Sequence, residues 1–182
     1  MSSLRNLADR PFELLLQLDQ QLRGARLDTA AEASDLWSGL AFRLGPHWLV
    51  APKDDVREVI PPPRLSRVPN ARPWLAGVAN VRGNLLTLVH AAQLLGLEGG
   101  NESRARRVLV LNAERVGAGF VVEEVAGYRQ FAAEDQRPVD RLQVDPSVKH
   151  FLLGGFVRDG RAWPVFSLHR LSQSEALRSA GR

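Results

Sequence analysis

Apolar and polar residues alternate along this chain with two different periods. In residues 11–23 (PFELLLQLDQQLR), Leu14, Leu15, Leu18 and Leu22 recur at helical spacing behind Pro11, and Gly24 follows. That pattern predicts an amphipathic helix of about three turns. Residues 24–35 are small and polar and predict a linker, so the compact domain begins near Trp37. From there the period shortens. Leu40, Phe42 and Leu44 alternate with other residues, and Gly45 and Pro46 turn the chain into Trp48, Leu49 and Val50. Gly83 and Asn84 separate the apolar runs 78–81 and 85–89; Asp159 and Gly160 separate 152–157 and 162–166, as hairpin turns would. Short, closely spaced strands punctuated by Gly and Pro predict a mostly β barrel or sandwich rather than alternating βαβ units. Leu168, Leu171 and Leu177 predict a closing helix in the 167–182 segment.

A weak repeat runs through the β-rich part. A shift of 66 residues lays VREV at 56–59 on VEEV at 122–125, and Phe42 and Leu44 on Val108 and Val110. With gaps, Gly77 and GNLLTL at 83–88 fall on Gly155 and GRAWPV at 160–165. Two small barrels side by side, roughly residues 36–100 and 104–168, account for this. Neither would bury much alone, so a shared apolar seam is expected.

Composition narrows the class. The chain has 182 residues, no cysteine, 45% hydrophobic and 24% charged residues, as in ordinary globular domains. Without cysteine there is no disulfide framework, thiolate metal site or thiol nucleophile. Glu13, Gln17 and Asp19 interrupt the early apolar run, and no segment approaches the roughly 20 apolar residues of a membrane span. These features predict a cytoplasmic protein with no direct membrane insertion. The pI near 10.5 comes from arginine, with a formal charge of only +4. The arginines are dispersed; the cluster Arg104, Arg106 and Arg107 precedes a strand-like run and reads as a solvated loop or a partner contact.

Catalytic chemistry is missing at each test. Ser38, Ser66 and Ser167 lack the glycine framing of a nucleophile elbow, and neither a P-loop nor a dinucleotide fingerprint occurs. Gly117 and Gly119 between two apolar runs read as hairpin or packing glycines. His47, His90, His150 and His169 are too scattered for a zinc site. Glu123 and Glu124 are adjacent, so a strand would point them to opposite faces. The chain is therefore expected to have no catalytic residues, metal or cofactor. Glu58, in a strand-like run where Val56 and Ile60 are expected to share its face, and Arg82, before Gly83, remain as either two solvated charges or an ion pair.

Taken in order, several parts resemble the CheW-like adaptors of bacterial chemosensory arrays. They are VREVI at 56–60, VPN at 68–70 with Pro73 and Trp74, GVANVRG at 77–83 and the apolar run to Val89. Gly96, then Val122, Glu124 and Val125, and finally Gly160, Arg161, Pro164 and Val165 complete the match, which spans residues 36–173. The resemblance implies two SH3-like five-stranded β-barrels with a shared core, short helices and no catalysis. It also implies pairing of Glu58 with Arg82. Beside that pair it implies a groove, near Val56, Glu58, Gly77, Arg82 and Leu86, that receives the helical tip of a methyl-accepting chemoreceptor. The second barrel's exposed apolar turns are expected to meet the regulatory domain of a CheA-like histidine kinase, within membrane-associated receptor arrays. The N-terminal helix, Trp37, Trp74 and GVANVRG resemble most the PilI-type branch, which serves type IV pilus twitching with a PilJ-like receptor.

One departure stands out. His90 and Ala91 occupy positions where that family usually has Asp and Leu, and Thr87 stands where Pro is common. Histidine caps a helix poorly, so the following helix is expected to start later or be looser. Alternative readings are a CheW-type coupling protein of a flagellar array, a basic nucleic-acid-binding barrel, and a small-molecule regulatory domain. Nucleic-acid binding predicts steep salt dependence, but an aromatic-basic face is not evident in the sequence. No motif marks a small-molecule pocket.

Overall fold

The computed structural model describes residues 36–98, 104–113 and 117–178. The predicted N-terminal helix and linker lie outside these residues. The chain separates into one unit of Met1–Trp37 and another of Ser38–Arg182, and the second holds nearly everything described here.

Among the described residues, eleven strands follow in order: β1 (Leu36–Leu44), β2 (His47–Pro52), β3 (Val56–Ile60), β4 (Leu75–Val81), β5 (Asn84–His90) and β6 (Arg107–Leu111). Then come β7 (Ala118–Val122), β8 (Glu124–Ala132), β9 (Gln136–Arg137), β10 (Leu152–Arg158) and β11 (Arg161–Phe166). The helices are single turns: α1 (Ala91–Leu94), α2 (Pro146–Lys149), α3 (Leu168–Ser172) and α4 (Glu175–Arg178). The closing helix expected from 167 onward is thus broken in two at Gln173 and Ser174, where the α3 cap closes on its own carbonyls.

The fold is mostly β and has two sheets. One is ordered β8-β1-β2-β11-β10-β9, the other β3-β6-β7-β5-β4. Their membership departs from a split at 36–100 and 104–168. The hairpin β1–β2 joins the sheet of β8–β11, and the hairpin β6–β7 joins the sheet of β3–β5. Except for Val56 and Val122, strand positions equated by the repeat therefore lie in opposite sheets, because each repeat lends its first hairpin to the other. The two junctions match: β2 runs parallel to β11 and β5 parallel to β7.

Burial explains why those hairpins are so apolar. Every residue of β7 and all but the first of β6 are buried, as expected for strands covered on both faces. Their period-two alternation feeds two cores. Val108, Val110 and Val121 meet Ala79, Leu86 and Leu88 inside the five-stranded sheet. Leu109, Leu111, Phe120 and Val122 face the other way and meet Phe42, Leu49 and Phe166 in a core shared by both sheets. Inside the six-stranded sheet, Phe131 of β8 stacks on Phe156 of β10 at 4.7 Å between ring centroids. Those strands are far apart in the sheet order, so the sheet must curl to bring them together.

Turn chemistry sets the strand ends. Asp159 and Gly160 (φ 52° and 71°) form the expected two-residue hairpin turn between β10 and β11. The turn between β4 and β5 is one residue earlier than the sequence pattern placed it. Its central residues are Arg82 and Gly83 (φ 52° and 84°), and Asn84 already pairs with Val81. The Asn80 side chain accepts the Gly83 N–H at 2.9 Å and stabilises the left-handed bend that Arg82 must adopt.

Candidate functional site

The order of the five-stranded sheet puts β3 and β4 at its two edges. Glu58 lies in β3 and Arg82 just after β4, yet an Arg82 guanidinium nitrogen stands 3.3 Å from Glu58 Oε2. The pair links the two edges of the sheet. The Arg82 side chain is 79% exposed and that of Glu58 21% exposed, so the acid is held by the protein and the base reaches over it from solvent. An exposed ion pair of this kind contributes only about 0–1 kcal/mol, so its value lies in positioning charge more than in stability.

The other three residues expected to line a groove are placed differently. Val56 is buried in the shared core and Leu86 in the five-stranded sheet's own core. Both are almost wholly buried. A bulge at Arg57, where the pairing shifts between Val56 and Glu58, explains the first case. It turns Val56 towards the shared core while Ile60 packs on the inner cluster, so these two do not share a face.

Gly77 is buried too, near the end of β4 away from Arg82. Residues 61–74 form a strap, and Ser66 exchanges backbone hydrogen bonds with Val78 at 2.8 and 2.9 Å. A Cβ on Gly77 would stand 2.6 Å from Ser66 O, and its φ is +140°, so glycine is needed for the strap to lie down.

Exposed apolar side chains close in sequence to Glu58 and Arg82 were missed. Leu85 is 69% exposed at the start of β5, and Val59 is exposed in β3. Each neighbours a residue of the inner cluster, Leu86 or Ile60, and so faces outward by strand alternation. A large apolar residue next to a hairpin turn, alternating out of phase with the core, was the available signal. Leu65 and Val68 are exposed on the strap.

Buried carboxylates hold the frame. Asp55 Oδ2 accepts the N–H of Leu168 at 2.9 Å and the Ser167 hydroxyl at 3.3 Å, satisfying donors at the start of α3. Glu123 is buried and accepts the N–H of Gly45 at 2.9 Å, while Glu124 faces the other way and pairs with Arg43 at 3.4 Å. These neighbours fasten the β1–β2 turn to the start of β8. The Arg107 guanidinium is spent on its own loop, donating to the carbonyls of Arg104 and Arg106 at 3.1 and 2.7 Å. Gly119 is a packing glycine, since a Cβ there would meet a Val108 methyl at 2.7 Å.

His90 precedes α1 and makes no side-chain cap bond; the helix is a single turn beginning directly after it. Burial lowers its pKa below the usual 6.5, nearby Arg106 lowers it further, and Glu123 works in the opposite direction. It lines a cleft of about 400 Å³ with Pro62, Pro63, Leu65 and Arg106. Among the described residues, no group of three or more His, Asp or Glu side chains could hold a metal ion, and no helix is long and apolar enough to cross a membrane.

Comparison with known proteins adds to this geometry. A model of the CheW-like domain family matches residues 38–176. The chain is 38% identical to Protein PilI of Pseudomonas aeruginosa over 172 residues, covering 91% of this chain and 93% of that protein. It is 29% identical to chemotaxis protein CheW of Thermotoga maritima over 101 residues, covering 56% of this chain and 66% of that one. In structure it resembles the scaffolding protein TtCheW of Thermoanaerobacter tengcongensis, with a TM-score of 0.66 at 18% identity over 77% of this chain and 94% of that one.

Proposed function

The chain belongs to the CheW-like domain family, whose members are non-catalytic scaffolds, and from that premise we propose that it couples a methyl-accepting chemoreceptor to a CheA-like histidine kinase. Its setting would be control of type IV pilus twitching, with a PilJ-like receptor in a membrane-associated array. The likeness to PilI across nearly the whole chain supports that setting over a flagellar one.

The observation that carries the receptor site is the Glu58–Arg82 pair, with exposed Leu85 and Val59 close to it in sequence. Helix-in-groove docking gains most from apolar side chains buried at the centre and fixes register with a polar rim. Contact would therefore pass to Leu85 and Val59, with Glu58 and Arg82 as the rim, while Val56, Gly77 and Leu86 support them from beneath. For the kinase, Tyr128 and Leu153 of the six-stranded sheet are exposed apolar surface. Holding both partners in fixed geometry lets receptor conformation bias kinase activity.

Titration calorimetry with the regulatory domain of the CheA-like kinase, at low and high salt, tests the reading. Saturable binding that survives high salt supports it, and absence of binding to any such kinase of the same organism refutes it.

A further inference from the structure

We propose that the surface of the six-stranded sheet where Arg129 and Arg161 stack on Trp163 is a separate docking site, for an acidic segment of a protein partner. The cluster gathers side chains from three strands. Arg161 lies 4.3 Å above the Trp163 ring and 5.5 Å from that of Trp48, and Arg129 lies 5.3 Å from Trp163. Trp48 comes from β2, Arg161 and Trp163 from β11, and Arg129 from β8. Trp163 is only 8% exposed, anchored beneath by Phe131 at 6.0 Å, so it is a rigid platform.

Both guanidinium carbons lie over the Trp163 ring, which holds the two side chains at one spot. Among the described residues, neither donates a side-chain hydrogen bond and neither pairs with a carboxylate. Their N–H edges are thus held in place but unused. Such a fork matches a carboxylate with two parallel hydrogen bonds, and it loses less freedom on binding than an unsupported side chain. Both arginines lie within 5.3 Å of one ring, so a single acidic segment can reach both.

The occupant is a protein segment rather than a nucleic acid because the positive charge is local. Further along the chain Arg137 and Arg141 are interspersed with Glu134, Asp135 and Asp140, and Arg158 is paired with Asp159 at 3.9 Å. That breaks the continuous cationic track a phosphate backbone requires. The site consists of this chain's own side chains and does not depend on which signalling system uses it.

The test is NMR titration of the full chain, observing tryptophan indole and arginine side-chain N–H signals. The probe is a short synthetic peptide rich in glutamate with interspersed leucine. Its glutamine analogue and oligothymidylate serve as comparisons. The glutamate peptide should saturate shifts at Trp48 and Trp163, and the glutamine analogue should not bind. Arg161→Lys, which keeps the charge but loses the fork, should weaken binding about tenfold. Arg129→Gln gives a second reading should Arg161→Lys disturb packing on Trp163. Absence of shifts at these indoles, equal binding by the glutamine peptide, unchanged affinity in both variants, or tighter binding of oligothymidylate at the same signals would each overturn the proposal.

Discussion

The carboxylate of Asp55 accepts the backbone N–H of Leu168 at 2.9 Å, joining the approach to β3 to a helix 113 residues later. The acid is almost wholly buried and serves donors that α3 cannot satisfy internally. Asp55→Ala should therefore cost about 2 kcal/mol in urea unfolding, with Asp55→Asn costing less because it retains an acceptor. Equal stability of the alanine variant and the wild type would show that solvent satisfies those donors instead.

Gly77 and Gly83 separate backbone strain from steric conflict. Alanine at Gly77 must both adopt φ +140° and displace Ser66 O, whereas at Gly83 (φ +84°) nothing lies within 4 Å. Gly77→Ala should cost more than about 2 kcal/mol and Gly83→Ala about 1 kcal/mol. Hydrogen exchange gives a sharper readout: in Gly77→Ala the Ser66 and Val78 amides should lose protection together.

Arg82→Glu places like charges where Arg82 now meets Glu58. Stability should change by about 1 kcal/mol, since Arg82 is largely solvated. Affinity for the receptor tip should fall, and Leu85→Ser should weaken it independently. Wild-type affinity in both variants would move the receptor site elsewhere.

His90 predicts a pH dependence whose sign follows from its lowered pKa. Between that value and 6.5 the unfolded chain binds a proton that the folded chain does not. Stability from this residue is therefore complete above 6.5 and declines as pH falls below it. His90→Gln should flatten the slope of urea-midpoint against pH over that window. An unaltered slope would assign the dependence to other groups.

The sequence pattern carried the strands well because their turns are written in glycine and their faces in alternation. Asp159 and Gly160 located a hairpin to the residue, and the apolar runs around 108–111 and 118–122 became strands. The exchange of hairpins was not legible, since identical alternation fits either sheet and only tertiary packing chooses between them. The bulge at Arg57 caused a different error. Its extra residue breaks the count by which Val56 and Ile60 would share a face, and no local signal marks it. Glu58 and Arg82 could be singled out as charges beside turns; that they meet depends on where the sheet's two edges end. The aromatic-arginine cluster was invisible for the same reason, because Trp48, Arg129 and Trp163 are remote in sequence and adjacent only in space.

The exchanged hairpins have a consequence for synthesis. When β5 leaves the ribosome its sheet still lacks β6 and β7, and β1–β2 waits with uncovered apolar faces until β11 emerges. Neither half can mature first, and long-range pairing of this kind folds slowly. A nascent chain stalled between β5 and β6 should therefore be protease-sensitive throughout. Two separately expressed halves, cut in that connection, should acquire structure only on mixing, each completed by a hairpin from the other.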